Sequence, residues 1–196
     1  TTTTQVEGPK DWVIVSEGEP TSATMVASSP DRQVVSFRCD VPITFPKIVG
    51  GRYTLAAETS EAGRTFRSYQ IEPVEKDRGE RDVAAIREAV KWYEVNIGKF
   101  PFSSYACFDA DSYYGIESYS YTLLKRNITS RFVTHELGHT YFGGLVPSAY
   151  TKDTWHESVT QYVDSILYHD NSDQTLEGAM RTMLVPVPLS KMSIPS

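Results

Sequence analysis

Thr134-His135-Glu136-Leu137-Gly138-His139-Thr140-Tyr141-Phe142 is the stretch on which the reading of this chain turns. In an α-helix, residues four apart share a face. His135 and His139 can therefore aim two imidazoles at one point, with Glu136 beside them. Two neutral nitrogens suit a zinc ion, and an adjacent carboxylate suits proton transfer from an activated water. Phe132, Val133, Leu137, Tyr141 and Phe142 predict that most of this helix is buried. Buried polar groups without partners cost several kcal/mol, roughly 2–7 each, so a metal partner is expected. Gly138 lowers helix propensity by about 1 kcal/mol relative to Ala, so something other than propensity selects it.

Working outward, the zinc-type helix is expected from about Ser130 to Phe142, ahead of Gly143-Gly144. A second helix fits Thr154 to His169, with Val159, Tyr162, Val163 and Ile166 on one side. A catalytic zinc takes a third protein ligand and keeps an open position. Glu157, His156, Asp153 and Asp164 are the candidates on that side of the motif. Upstream, Val83, Ile86, Val90, Tyr93 and Ile97 recur at helical spacing, and Gly98 and Pro101 form the stop. Glu75 to Asp82 reads as a charged connection into that helix.

Residues 11 to about 72 read as antiparallel β-structure: Trp12-Val15, Val34-Cys39, Tyr53-Ala56 and Thr65-Ile71, broken by turn residues. Tyr105-Phe108 and Ser118-Leu124 predict two further strands. The opening Thr1–Thr4 reads as a linker, and the absence of a leading Met or signal sequence suggests a piece of a longer protein. The tail from Leu184 carries three prolines and predicts an irregular edge.

A net charge of -6 without a basic run argues against nucleic acid as a partner. No apolar run approaches the ~18 residues of a transmembrane helix. Cys39 and Cys107 form no C-x-x-C pair, which excludes a zinc ribbon; two buried free thiols are expected, with a disulfide as the other reading. Asn127-Ile128-Thr129 is a formal glycosylation triplet of little weight.

Thr134–Val146 resembles the aminopeptidase N family of zinc peptidases, the gluzincins, which reads H-E-x-x-H-x-W-F-G-N-x-V there. Trp155-His156-Glu157-Ser158-Val159-Thr160-Gln161-Tyr162-Val163-Asp164 is similar to the family's W-x-N-E-G-F-A-x-Y-x-E segment. Tyr114-Gly115-Ile116-Glu117-Ser118 resembles its G-x-M-E-N motif, and Trp12 to Glu17, Val35-Ser36-Phe37 and Val49-Gly50-Gly51-Arg52-Tyr53 resemble the closing strands of its N-terminal β-domain. Departures stand beside these matches. Seventeen residues separate His139 from Glu157, one fewer than usual in the family; Ser158 replaces Gly, His156 replaces Asn, and Met and Asn are missing around Glu117.

The resemblance implies an α+β fold: the end of an N-terminal antiparallel β-domain over 1–62, then a thermolysin-like zincin lobe over 63–196 with a small sheet above the H-E-x-x-H helix. It implies one Zn²⁺ held by His135, His139 and Glu157, with Glu136 as the catalytic base. Glu117 would bind the substrate's α-ammonium, and Gly115 and Ile116 would offer backbone groups to a peptide substrate. The expected activity is release of N-terminal amino acids. The related glycyl aminopeptidases, with a similar G-L-E-H segment, and a non-catalytic zinc-bearing scaffold are the alternatives. The family's oxyanion-stabilising tyrosine lies well beyond the third ligand. Only Tyr162 and Tyr168 follow Glu157, both in the helix of the ligand, so that donor is either missing from this piece or supplied differently, and a C-terminal helical domain of the same protein is expected to be missing as well.

Overall fold

The 3.6-residue recurrence of Val83, Ile86, Val90 and Tyr93 is realised in the computed structural model as α1 (Lys76–Asn96), the longest helix among the described residues. The structure describes residues 1–26, 29–44, 46–111, 115–126, 128, 131–149 and 154–168. Asn127 and Thr129 of the glycosylation triplet, Tyr114, Ser130, Asp153, His169 and the proline-rich tail lie outside the described residues. α1 begins earlier than its apolar pattern suggests, because the stretch read as a connection is helical from Lys76 onward. Arg78 and Asp82 fall on its buried face there, where they are paired, so hydrophobic periodicity cannot reveal the first two turns.

Among the described residues, three small sheets and one larger one accompany the helices. β1 (Thr2–Pro9), β3 (Glu19–Val26) and β4 (Ser29–Cys39) form an antiparallel sheet in the order β1-β4-β3. The Thr-rich opening is therefore an edge strand and not a linker, paired from Thr2↔Cys39 to Pro9↔Arg32. β-Branched threonines suit a half-exposed edge. β2 (Val13–Ser16) pairs with β5 (Ile48–Gly51), also antiparallel.

The five-stranded sheet runs β6 (Thr54–Glu61), β7 (Arg64–Gln70), β8 (Ser104–Ala110), β10 (Tyr121–Lys125) and β9 (Gly115–Glu117) across its width. It is mixed: β6–β7 and β10–β9 are antiparallel, whereas β7–β8 and β8–β10 are parallel. A parallel pair needs a long crossover, and α1 supplies it between β7 and β8. β6 belongs to this sheet, so the division expected at residue 62 falls within the β6–β7 hairpin.

α2 (Arg131–Gly138) packs between α1 and the β10–β9 edge, and α3 (Trp155–Tyr162) follows and continues into a π-helical turn, Val163–Tyr168. A two-residue bridge of β11 (Phe142–Gly143) and β12 (Val146–Pro147) joins the two helices. The core between sheet and helices holds Val83, Ile86, Val90, Tyr93, Phe100, Tyr105, Val133, Leu137 and Tyr141. Phe132, expected inside, is 40% exposed, because the short α2 turns only its Val133–Leu137 face inward. Both cysteines are buried free thiols, as the first of the two readings has it. The architecture is α+β, and no helix among the described residues is long and apolar enough to cross a membrane.

Candidate metal centre

α2 stops at Gly138, four residues short of the expected end. The chain then tightens: His139, Thr140 and Tyr141 donate their N–H groups to the carbonyls of Glu136, Leu137 and Gly138 at 3.2, 3.0 and 3.0 Å. These are three-residue steps, the usual way a helix end satisfies its last carbonyls. His139 therefore sits on the tightened turn, and its ring still converges with that of His135. The two Nε2 atoms are 3.2 Å apart.

Gly138 is explained by close approach. A Cβ there would lie 2.4 Å from the Tyr93 hydroxyl oxygen and 2.9 Å from Thr160 Cγ2. Tyr93 is fully buried and stacked on Tyr141, with ring centroids 5.1 Å apart, so it cannot yield easily. Gly138→Ala is expected to cost about 1–2 kcal/mol, since a 2.4 Å contact falls in the upper ~2–3 kcal/mol of the overpacking range and outweighs a helix-propensity gain of ~1 kcal/mol. For a chain of this size that lowers the melting temperature by roughly 2–8 °C. A thermal melt at or above the wild-type midpoint would contradict the packing argument.

Glu157, in the first turn of α3, completes the group. Its Oε2 lies 3.4 Å from His139 Nε2 and 3.7 Å from His135 Nε2. Ligand atoms about 2.0–2.2 Å from a tetrahedral zinc stand about 3.3–3.6 Å from one another, so the three edges fit such a site closely. The flanking imidazoles hold the Glu157 carboxyl well below the ordinary carboxylate range. The His139 ring loses solvent on burial, which favours its neutral form, yet Glu157 beside it pushes its pKa up on balance. A cation between these groups would reverse that competition and favour the neutral ring.

His139 is oriented from behind. Its Nδ1 lies 3.2 Å from the Phe142 carbonyl and 3.2 Å from the Thr160 hydroxyl. An Nδ1–H directed at the carbonyl leaves the Nε2 lone pair facing His135 and Glu157. Thr160 stands three residues after Glu157, on the same face of α3, so one helix supplies both the carboxylate and a partner for the ring.

The rival carboxylate Asp164 is buried and accepts a hydrogen bond from the Thr134 hydroxyl, which ties the π-helical turn to α2 just before His135. His156 is buried against the His139 ring, and its Nε2 stands 3.6 Å from the other Glu157 oxygen, Oε1.

Glu136 is 6% exposed and rests against β9. Burial pushes its carboxyl up to about 7, against the pull of His135 and His139. Gly115 is the residue it touches. Glu117 ends β9, half buried, and lines a small cavity with Lys47, Ser118, Tyr119, His139 and Gly144. Gly115, Glu117, Glu136, His135, His139 and Glu157 are thus brought to one region, with Ile116 between the first two on β9. The hydroxyl of the nearby Tyr141 donates to the Gly98 carbonyl at 3.0 Å.

Two residues at this site carry no sequence signal. Lys47, just before β5, donates its Nζ–H to the Glu117 carbonyl oxygen and stands 3.4 Å from Glu117 Oε1. Glu17, in the β2–β3 turn, is 1% exposed and accepts from the Ser118 hydroxyl and the Tyr119 N–H. A carboxylate in a Ser-Glu-Gly-Glu-Pro turn reads as solvated, and only the docking of the N-terminal strands on residues 118–120 buries it. A scan against protein-family models finds no match for this chain, and a search of curated proteins finds none either.

Proposed function

We propose that this chain carries a zincin-type lobe that hydrolyses peptide bonds with zinc and releases N-terminal amino acids. The observation that carries the reading is the triangle of His135 Nε2, His139 Nε2 and Glu157 Oε2, with the buried Glu136 carboxylate next to it. Zinc bound there supplies Lewis acidity, polarising a scissile carbonyl and lowering the pKa of a water toward ~7.

The chain's own residues do the rest. Glu136 takes a proton from the attacking water and returns it to the leaving amine. Burial raises the pKa of its carboxyl, and a cation held beside it would lower it again, which favours the carboxylate that accepts the proton. Phe142 and Thr160 keep the His139 ring in register. Glu117 holds the α-ammonium of the substrate, and β9 lays Gly115 and Ile116 along its backbone. The burial of Glu136 favours an enzyme over a scaffold, which has no use for a desolvated carboxylate beside its ligands.

The test combines metal and activity. Purified protein is expected to hold one zinc per chain, His135→Ala to lose it, and Glu136→Gln to keep it while losing hydrolysis. N-acetylated peptides are expected to be poor substrates. Glu117→Ala is expected to lower kcat/KM on free peptides tenfold or more, since a charge-assisted contact is worth about 1.5–3 kcal/mol. Metal analysis that finds no zinc after zinc is supplied would overturn the whole reading. Equal cleavage of free and acetylated peptides would overturn the exopeptidase part alone.

A further inference from the structure

The cavity beside Glu117 already contains an ammonium group. Lys47 Nζ binds the Glu117 carbonyl oxygen and lies 3.4 Å from its carboxylate, and both side chains are about three-quarters buried (24% and 22% exposed). Lys47 comes from the N-terminal β portion, 70 positions away in the chain. Its placement is not a chance surface contact. The Ser16 hydroxyl donates to the Lys47 carbonyl at 3.0 Å, and the Lys47 N–H is bound by the Glu17 carboxylate. The same carboxylate binds the Ser118 hydroxyl and the Tyr119 N–H, directly after Glu117. One buried side chain thereby registers the backbone at Lys47 against the backbone at Glu117.

We propose that Lys47 is a specificity-determining residue of this subsite: its ammonium occupies Glu117 in the resting protein, and the amino terminus of a peptide must displace it. The proposal rests on the reading of Glu117 as the amine-binding group. Two like charges cannot share one largely buried carboxylate without repulsion. Amine capture is therefore an exchange of one cation for another, and its net strength is lower than a bare Glu117 would give. The exchange also makes the subsite selective. A neutral N-acetylated end gains nothing by displacing Lys47, because it leaves both Glu117 and the lysine without a partner of opposite charge.

The experiment is calorimetric binding to the zinc-loaded protein, so that no turnover is needed. The probes are L-leucinamide, which has a free amine, and N-acetyl-L-leucinamide, which has none. Lys47→Met is expected to bind leucinamide tenfold or more tightly than the wild type, with no gain for the acetylated probe. Lys47→Arg, which keeps a cation, is expected to show no gain, and Glu117→Gln placed on Lys47→Met is expected to erase it. The lysine backbone is held by Ser16 and Glu17 and not by its own side chain, so the fold should survive; Lys47→Gln, checked by far-UV circular dichroism, provides a second neutral variant. Unchanged or weaker leucinamide binding in both neutral variants, while the wild type still prefers leucinamide to the acetylated probe, would overturn the role of Lys47 alone. Equal binding of the two probes by every variant would overturn the proposal together with the amine-binding role of Glu117.

Discussion

On the proposed reading, Gly115→Ala is expected to leave the fold and zinc binding intact and to lower kcat/KM by about 10²-fold or more. The reason is steric and local. A Cβ at Gly115 would stand 2.1 Å from Glu136 Oε1, 2.6 Å from its Cδ and 3.0 Å from its Cγ. One partner must move. β9 is held by antiparallel pairing of Gly115 with Leu124, Ile116 with Leu123 and Glu117 with Thr122, so the strand resists retreat. The Glu136 side chain is the softer partner, because its far end turns about three single bonds. Displacement of about 1 Å from a working geometry can cost ~10²-fold in rate. Stability should change little, since a carboxylate that leaves this buried pocket regains solvent. The comparison is kcat/KM and zinc stoichiometry for Gly115→Ala, Glu136→Gln and wild type. Activity within threefold of wild type would mean that Glu136 does not depend on this contact.

The second large effect is on stability and lies away from the candidate metal centre. Arg78→Ala is expected to cost about 3–5 kcal/mol, the usual range when one partner of a buried ion pair is removed. Arg78 in α1 donates to both oxygens of Asp109 at the end of β8, at 2.7 and 2.9 Å, and the two residues are 9% and 2% exposed. Asp109 also accepts the Ile71 N–H at 3.1 Å, and its own carbonyl accepts the Tyr53 hydroxyl at 3.0 Å. The pair thus ties the start of α1 to the strands on either side of the crossover. Its geometry holds the Arg78 guanidinium above its ordinary pKa, mainly through the Asp109 hydrogen bonds.

Truncation to Ala strands the Asp109 carboxylate in a dry site, and that desolvation is the larger part of the loss. The double variant Arg78→Met with Asp109→Leu removes both charges of the pair but leaves the Ile71 N–H without its acceptor and takes the Arg78 cation from beside buried Asp82, so it is expected to recover only part of the loss. Urea unfolding gives all the values needed. A loss below 1 kcal/mol for Arg78→Ala, or a double variant no more stable than the single, would show that the pair is not the anchor its geometry suggests.

What the sequence by itself determined is what depends on neighbours along the chain. The four-residue spacing of His135 and His139 follows from the pitch of a helix, and the structure brings their Nε2 atoms together even though the last turn is tighter than α-helical. The apolar recurrence from Val83 to Tyr93 marked α1 because each of those side chains enters the same core. Where the buried face turns polar, at Arg78 and Asp82, the same signal failed. It failed again at Thr2–Pro9, an edge strand whose partner lies in β4 and whose threonines carry no apolar alternation.

Only the tertiary structure decided the rest. Glu157 joins the histidines because α3 folds back on α2, and Thr160 then reaches the His139 ring from the same face. Lys47 meets Glu117 and Glu17 meets Ser118 across 70 and 101 positions. No local period encodes such meetings. They arise from packing sheet against sheet, which decides which carboxylates lose water and which cation stands beside them.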